Sequence, residues 1–169
     1  MATARHMAPA HPTTTNASRI SIPWMIAFAA IVCFIWGNSL IPGEGSGNLS
    51  LAVLTTLESM FDAINLPHEW LTHHFVRKAA HFTEYLVLAL VGMQAFHPHR
   101  MDAPTRAERI RRVALTAVLL IVVPVLDETI QLFIDDRAGQ VRDVLLDCSG
   151  EVCGCALTLV IAKLTRRLH

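Results

Sequence analysis

Charged residues are scarce in this chain of 169 amino acids. They make up 17% of it, whereas an average soluble domain has roughly 25%. Hydrophobic residues make up 53%, and 14 Lys and Arg balance 14 Asp and Glu, so the net charge is zero. Without a basic excess there is no overall electrostatic basis for binding nucleic acid. The composition therefore favours a membrane protein that has no nucleic-acid partner.

The chain also lacks the short motifs that identify several common enzyme classes. No GxSxG, HExxH or P-loop pattern occurs. The four cysteines include no CxxC pair, and cysteines inside apolar segments usually behave as small hydrophobic residues. The sequence therefore gives no motif-based evidence for the enzyme classes that these patterns identify. Whether the protein is an enzyme stays open.

Apolar residues are concentrated in four blocks that are each long enough to cross a bilayer, which needs about 20 residues. The fold class predicted from them is all-α: a polytopic membrane bundle of four transmembrane helices. The predicted spans are approximately 22–41, 75–96, 113–134 and 141–164. Residues 1–20 are predicted to form a disordered cytoplasmic tail, and residues 21–169 a single membrane domain.

Two of the connections between the spans have distinctive compositions. Residues 42–73 contain no Lys or Arg, and within them residues 51–66 carry apolar side chains at roughly helical spacing. This pattern predicts a short amphipathic helix that lies on the membrane or on the bundle. Residues 97–112 are predicted to form a polar loop, and they contain five arginines.

The distribution of basic residues predicts the orientation. Ten of the 14 Lys and Arg lie in the tail, in the loop 97–112 and at the C-terminus. Because basic residues are enriched on the cytoplasmic side of membrane proteins, both termini should be cytoplasmic and the loop 42–73 extracytoplasmic. The predicted location is the inner (cytoplasmic) membrane, crossed several times.

Polar residues inside three of the spans predict a common site. An ionisable group at the centre of a membrane helix costs roughly 2.5–3.5 kcal/mol on insertion scales. At ~1.5 Å per residue, His81, Asp127 and Asp147 lie about 9, 10 and 9 Å below the outer ends of their predicted spans. This agreement between separate helices predicts one site in the outer half of the membrane.

Helical spacing also places several of these polar side chains on shared faces. Arg77, His81 and Glu84 lie on one face of the second span, and Asp143 and Asp147 are one turn apart on the fourth. The candidate catalytic residues are His81, Glu84, Asp127, Glu128, Asp143 and Asp147. The candidate ligand-binding residues are Ser39, Arg77, Lys78, Gln131 and Arg137.

The chemistry of these residues supports three alternative functions. Arginine and lysine near the outer leaflet suit a phosphate or carboxylate, so the site is expected to bind an anionic membrane lipid. Histidine beside carboxylates suits acid–base catalysis on such a lipid. The third alternative is an internal ion-pair network with only a structural role.

Cofactor, metal and oligomeric state are not determined by the sequence. No metal site is assigned and no cofactor is identified. A divalent cation held by His81, Glu84, Asp127 and Asp147 stays open as an alternative, because imidazole and carboxylate groups are common metal ligands.

Four short motifs in this order resemble the VanZ-like family. They are Asn38-Ser39-x-x-Pro42-Gly43, Arg77-Lys78-Ala79-Ala80-His81-Phe82-x-Glu84-Tyr85, Asp127-Glu128-x-x-Gln131-x-Phe133, and Arg137-Ala138-Gly139-x-Val141-x-Asp143-Val144-x-x-Asp147. The resemblance runs from about residue 34 to 162. It implies a small integral membrane protein of the bacterial cell envelope, in a family whose namesake is associated with resistance to the glycopeptide teicoplanin. With this resemblance, the expected ligand is an anionic envelope lipid or lipid-linked envelope precursor.

The motifs of the family and the depths of the polar residues in the predicted spans point to much the same positions. Most of the positions that match the motifs belong to the predicted outer site. One departure is the sequence Asp135-Asp136-Arg137, where the family pattern has a glycine directly before the arginine. This departure is expected to change the geometry of the turn before Arg137.

Overall fold

Five helices make up the part of the chain that the computed structural model describes, residues 21–97, 105–135, 137 and 139–167. They are α1 (Ile22–Ser39), α2 (Gly43–Ala63), α3 (His73–Phe96), α4 (Arg106–Gln131) and α5 (Val141–Arg167). Helices α1, α3, α4 and α5 are long and apolar enough to cross a membrane, and the described residues form no strand. The all-helical class and the four predicted spans are confirmed. The predicted tail, residues 1–20, and residues 98–104 of the predicted polar loop lie outside the described residues.

Helix α4 begins seven residues before the predicted span, so the prediction of a loop over 97–112 is wrong for its last part. The Thr105 hydroxyl accepts a hydrogen bond from the Glu108 backbone N–H at 3.1 Å and caps the helix. The Glu108 carboxylate in turn pairs with Arg111 and Arg112 in the next turn. A good cap and these local ion pairs extend the helix through a charged segment that hydropathy alone does not recognise.

Helix α2 starts eight residues before the predicted amphipathic helix at 51–66 and ends three residues before its predicted end. It is not among the four helices that could span a membrane. Its Leu54 forms a small buried core with Leu71, in the connection to α3, and Val76 of α3. The prediction of a helix is therefore confirmed for residues 51–63, and the structure places this helix against the bundle.

Helices α3 and α5 approach each other closely because α5 has glycines at the contact. A Cβ atom added at Gly150 would collide with the Phe82 carbonyl oxygen, and one at Gly154 would lie 2.5 Å from the Leu86 carbonyl oxygen. The glycine spacing in the sequence predicts this kind of close helix contact. The contact also fixes the register that brings the polar residues of α3 and α5 together.

The bundle interior is apolar towards one end and polar towards the other. An apolar core joins α1, α3 and α4 in the apolar part, where the Phe28 and Phe96 rings meet edge to face at 5.4 Å between centroids. At the other end, α1 and α4 end and α3 and α5 begin. This end, called the cluster end below, contains the predicted site.

Candidate functional site

All eleven candidate site residues from the sequence lie in one connected group at the cluster end, called the polar cluster below. They are Ser39, Arg77, Lys78, His81, Glu84, Asp127, Glu128, Gln131, Arg137, Asp143 and Asp147. Four membrane helices and the α4–α5 connection contribute to this group. The structure thus places the candidates together, while their individual roles remain predictions.

Gln131 links two helices through the buried centre of the polar cluster. Its amide nitrogen lies 3.3 Å from Ser39 Oγ, 3.2 Å from Asp127 Oδ2 and 3.4 Å from Glu128 Oε1. An amide nitrogen has two hydrogens, so these three acceptors compete for it. Because Gln131 is only 1% exposed, this competition occurs away from solvent. Gln131 therefore positions the carboxylates of α4 relative to the end of α1.

The α4–α5 connection folds back on the end of α4 and holds the second oxygen of Glu128. That oxygen accepts the Gln140 backbone N–H at 2.8 Å. Gly139 lies so close to the Glu128 backbone carbonyl that a side chain there would collide with it. The glycine therefore lets the connection come near enough for Gln140 to reach the carboxylate.

Arg137 binds the end of α1. Its Nε donates to the Ile41 carbonyl at 3.0 Å, and its Nη2 donates to the Asn38 carbonyl at 2.7 Å. Carbonyl groups at a helix C-terminus lack partners within the helix and carry partial negative charge, so they attract a cation. Partial burial, together with the nearby charge of Arg77, lowers the pKa of Arg137, although an arginine remains protonated near neutral pH. The sequence predicted a ligand contact for Arg137 and gave no sign of this link to α1.

An ion pair between Lys78 and Asp143 joins the beginnings of α3 and α5. Both side chains are mostly buried, with 25% and 19% exposed. The pair leaves Lys78 less available to an external anion than the sequence interpretation assumes. Its position beside the close α3–α5 contact indicates that it also helps to fix the register of these helices.

We expect the Lys78–Asp143 pair to behave as a coupled unit. Lys78→Met and Asp143→Asn should each lower the free energy of unfolding, because each leaves a mostly buried polar group without its partner. The double variant should lose less than the sum of the two, with a coupling energy of about 1–3 kcal/mol. Unfolding of the purified protein by denaturing detergent measures this cycle. Simply additive losses would contradict the coupling.

His81, Asp127 and Asp147 meet at one point although they come from three helices. One ring nitrogen of His81 and one carboxylate oxygen from each aspartate all lie within 4.8 Å of one another. Both aspartates are 0% exposed. The structure therefore brings together the three residues for which the sequence predicts a common depth.

Several buried polar atoms of the cluster lack hydrogen-bond partners among the described residues. They are Nδ1 of His81, Oδ1 of Asp127 and both carboxylate oxygens of Asp147. Buried polar groups in native proteins are usually satisfied by protein groups, water or ions. The arrangement therefore calls for a proton, a water molecule or a cation at this point.

Three residues outside the candidate set also belong to the site. The Asn38 amide donates to Glu84 Oε1 at 3.4 Å. Tyr85 is 0% exposed, and its hydroxyl lies beside the Asp127 carboxyl. Glu151, one turn beyond Asp147, is 4% exposed. Asn38 and Tyr85 fall inside the quoted sequence motifs, whereas Glu151 was only a single acidic residue in an apolar helix.

Two cavities meet beside the polar cluster. A polar cavity of about 120 Å³ contains Arg77, His81, Glu84 and Arg137 in its wall. An open apolar groove of about 580 Å³ runs along α1, α2 and α3 and is lined mainly by their hydrophobic side chains. Ser50, Ala80 and Glu84 line both spaces. The groove and the polar cavity are therefore adjacent.

Comparison with known proteins gives one family. A family model described as VanZ/LLP1 matches residues 24–162. No curated protein and no protein of known structure gives a significant match. The matched range covers most of the chain and includes every residue of the polar cluster.

Proposed function

The chain belongs to the VanZ/LLP1 family, and from this premise we propose that it is a multi-pass membrane protein that binds an anionic envelope lipid or lipid-linked precursor. The head group occupies the polar cavity, and an acyl or isoprenoid chain lies in the apolar groove. One observation supports this proposal most directly: the groove and the cavity share Ser50, Ala80 and Glu84. Such a junction between apolar and polar space suits an amphiphile.

The sizes of the two spaces agree with this division of the ligand. The groove, at about 580 Å³, lies within the range of about 300–1,000 Å³ that is usual for ligand pockets. The polar cavity, at about 120 Å³, is much smaller. It suits a compact head group, while the chain of the lipid requires the groove.

Arg77 is the cation best placed to bind the anionic head group. Arg77 lines the polar cavity, and its side chain makes no hydrogen bond or ion pair in the described part of the chain. Lys78 is paired with Asp143, and Arg137 donates to carbonyls of α1. A planar guanidinium can bind a phosphate or carboxylate through two parallel hydrogen bonds.

The distribution of basic residues supports a position of this site in the outer leaflet. With both termini in the cytoplasm, the cluster end of the bundle faces the extracytoplasmic side. Lipids of the outer leaflet of the cytoplasmic membrane would then enter the groove from the side. The orientation can be measured independently by labelling single cysteines at the two ends.

We expect anionic lipid to copurify with the wild-type protein and to be lost from two variants. Arg77→Met removes the cation of the polar cavity, and Ala79→Trp fills the groove, which Ala79 lines. Each should lower the molar ratio of anionic lipid to protein by about tenfold, because losing a charge-assisted contact or access to the groove costs on the order of 1.4 kcal/mol or more. Mass spectrometry of lipids extracted from protein purified in mild detergent measures this ratio.

A matched control separates this effect from a general change in the protein surface. Ala117 is exposed on α4 and does not line the groove. Ala117→Trp should therefore leave the bound lipid unchanged. Equal lipid ratios in the wild type and in all three variants would overturn the proposed lipid site.

The same geometry favours a second function, an enzyme that modifies the bound lipid. His81 lines the polar cavity and lies beside Asp127 and Asp147, and a histidine next to carboxylates suits acid–base catalysis. Lipid profiles of envelopes from strains with wild-type protein and with Asp127→Asn, at equal protein levels, distinguish the two functions. A lipid that appears or disappears only with the wild type favours the enzyme, and identical profiles favour binding alone.

Resistance to teicoplanin is the biological role that the family resemblance suggests. A lipid-linked precursor of the cell wall would connect the proposed binding site to a glycopeptide. If that connection holds, expression of the wild type should raise the inhibitory concentration of teicoplanin, and Arg77→Met should remove the increase.

A further inference from the structure

We propose that His81, Asp127 and Asp147 bind a divalent transition-metal ion. This site goes beyond the proposed lipid pocket, because neither aspartate lines the polar cavity. The inference rests on the mutual distances of the donor atoms, on the burial of both aspartates and on their carboxylate oxygens that lack a hydrogen-bond partner among the described residues.

The distances allow one ion to contact all three side chains after a small adjustment. The three donor atoms lie within 4.8 Å of one another, so a point between them is at most about 2.8 Å from each. Zinc binds histidine nitrogen and carboxylate oxygen at ~2.0–2.2 Å. Side-chain rotations that move each donor atom by well under 1 Å close this difference without a change in the helices.

Burial explains why an ion would improve this arrangement. Asp147 is 0% exposed, and neither of its carboxylate oxygens has a hydrogen-bond partner among the described residues. Asp127 is equally buried, and its Oδ1 is also unpartnered. A divalent ion would neutralise both carboxylates and would satisfy atoms that otherwise lie buried without a partner.

The nearby cations of the protein do not fill this role. Lys78 pairs with Asp143, and the Arg137 guanidinium donates to backbone carbonyls at the end of α1. Neither of these residues makes an ion pair with Asp127 or Asp147 in the described part of the chain, and neither does Arg77, the third nearby cation. The two buried carboxylates are therefore still available to an external cation.

The donor set selects the class of ion. One imidazole and two carboxylates suit Zn²⁺, Mn²⁺ or Fe²⁺, whereas Ca²⁺ and Mg²⁺ prefer all-oxygen sites. His81 also lines the polar cavity. The His81 side chain would therefore separate a bound ion from a ligand in that cavity. The metal site is proposed independently of such a ligand.

Metal titration of the purified protein tests the site directly. The wild type is purified with an affinity tag that contains no histidine, is treated with chelator, and is then dialysed against Zn²⁺ or Mn²⁺. Elemental analysis should find one equivalent of ion per chain, and the ion should raise the thermal unfolding temperature, because a ligand of the folded state stabilises it. Mg²⁺ should have a much smaller effect.

Variants assign the bound ion to these residues. His81→Ala and Asp147→Asn should each weaken binding by about tenfold or more. The control variants His74→Ala and Asp135→Asn, which change an exposed histidine and an exposed carboxylate, should retain it. If Asp147→Asn does not fold, His81→Ala and the wild-type titration still decide the question. Absence of stoichiometric binding to the wild type, or equal binding by the cluster and control variants, would overturn the proposal and favour a shared proton.

Discussion

Replacing Gly150 with leucine is expected to abolish the folded bundle. A Cβ atom at this position would collide with the Phe82 carbonyl oxygen and would lie 3.3 Å from the Leu86 backbone nitrogen. Because the colliding atoms belong to the backbone, a side-chain rotation cannot relieve the contact. Even Gly150→Ala should cost about 1–3 kcal/mol, as is usual for overpacking, and leucine would force α3 and α5 apart. The expected result is loss of the monodisperse peak in size-exclusion chromatography of the detergent-solubilised protein.

Gly37 provides a matched control in another membrane helix. A Cβ atom added there would meet nothing within 4 Å, and the residue is exposed on α1. Gly37→Leu should therefore leave the folded fraction unchanged. A normal chromatographic peak for Gly150→Leu would contradict the close α3–α5 packing, as would equal losses for both variants.

The sequence predicts the spans well because the signal for them is long and local. A run of about 20 apolar residues has few alternatives to a membrane helix. The apolar pattern does not predict the start of α4, because a threonine cap and the Glu108 ion pairs extend this helix through residues that are not hydrophobic. Helix ends depend on such individual hydrogen bonds, and a hydropathy pattern does not contain them.

The polar cluster was predictable for a related reason. Ionisable residues are costly inside a membrane, so their equal depth in separate helices indicates a common site. The meeting of His81, Asp127 and Asp147 within 4.8 Å follows that expectation. The apolar groove was not predictable, because its walls come from three helices whose relative positions the sequence does not specify.

Arg137 shows where the type of a residue is an incomplete guide to its role. Arginine suits a phosphate or carboxylate, so the sequence predicts that Arg137, like Arg77 and Lys78, contacts an anionic group. Its observed acceptors are backbone carbonyls of Asn38 and Ile41. Every residue type has a backbone carbonyl, so no sequence pattern identifies these acceptors. Arg137 also lines the polar cavity, so a structural and a binding role have to be separated by experiment.

Replacing Arg137 with methionine is the second change for which we expect a large effect. The variant loses two hydrogen bonds from a charged donor, each of which contributes about 1.5–3 kcal/mol, so the free energy of unfolding should fall by about 3 kcal/mol or more. It also removes a positive charge near Glu84, Asp127 and Glu128. Unfolding by denaturing detergent measures the loss, and hydrogen exchange of peptides from the end of α1 shows where it arises.

Two comparison variants make the result specific to the contacts with α1. Arg142 is exposed on α5, so Arg142→Met should change stability by no more than about 0.5 kcal/mol. Arg137→Lys keeps the charge but cannot reproduce the forked geometry of the guanidinium, so its stability should fall between those of Arg137→Met and the wild type. Faster exchange at the end of α1 in Arg137→Met would locate the loss there. Unchanged exchange together with wild-type stability would show that the arginine is dispensable for the bundle, and its contribution would then lie in the polar cavity alone.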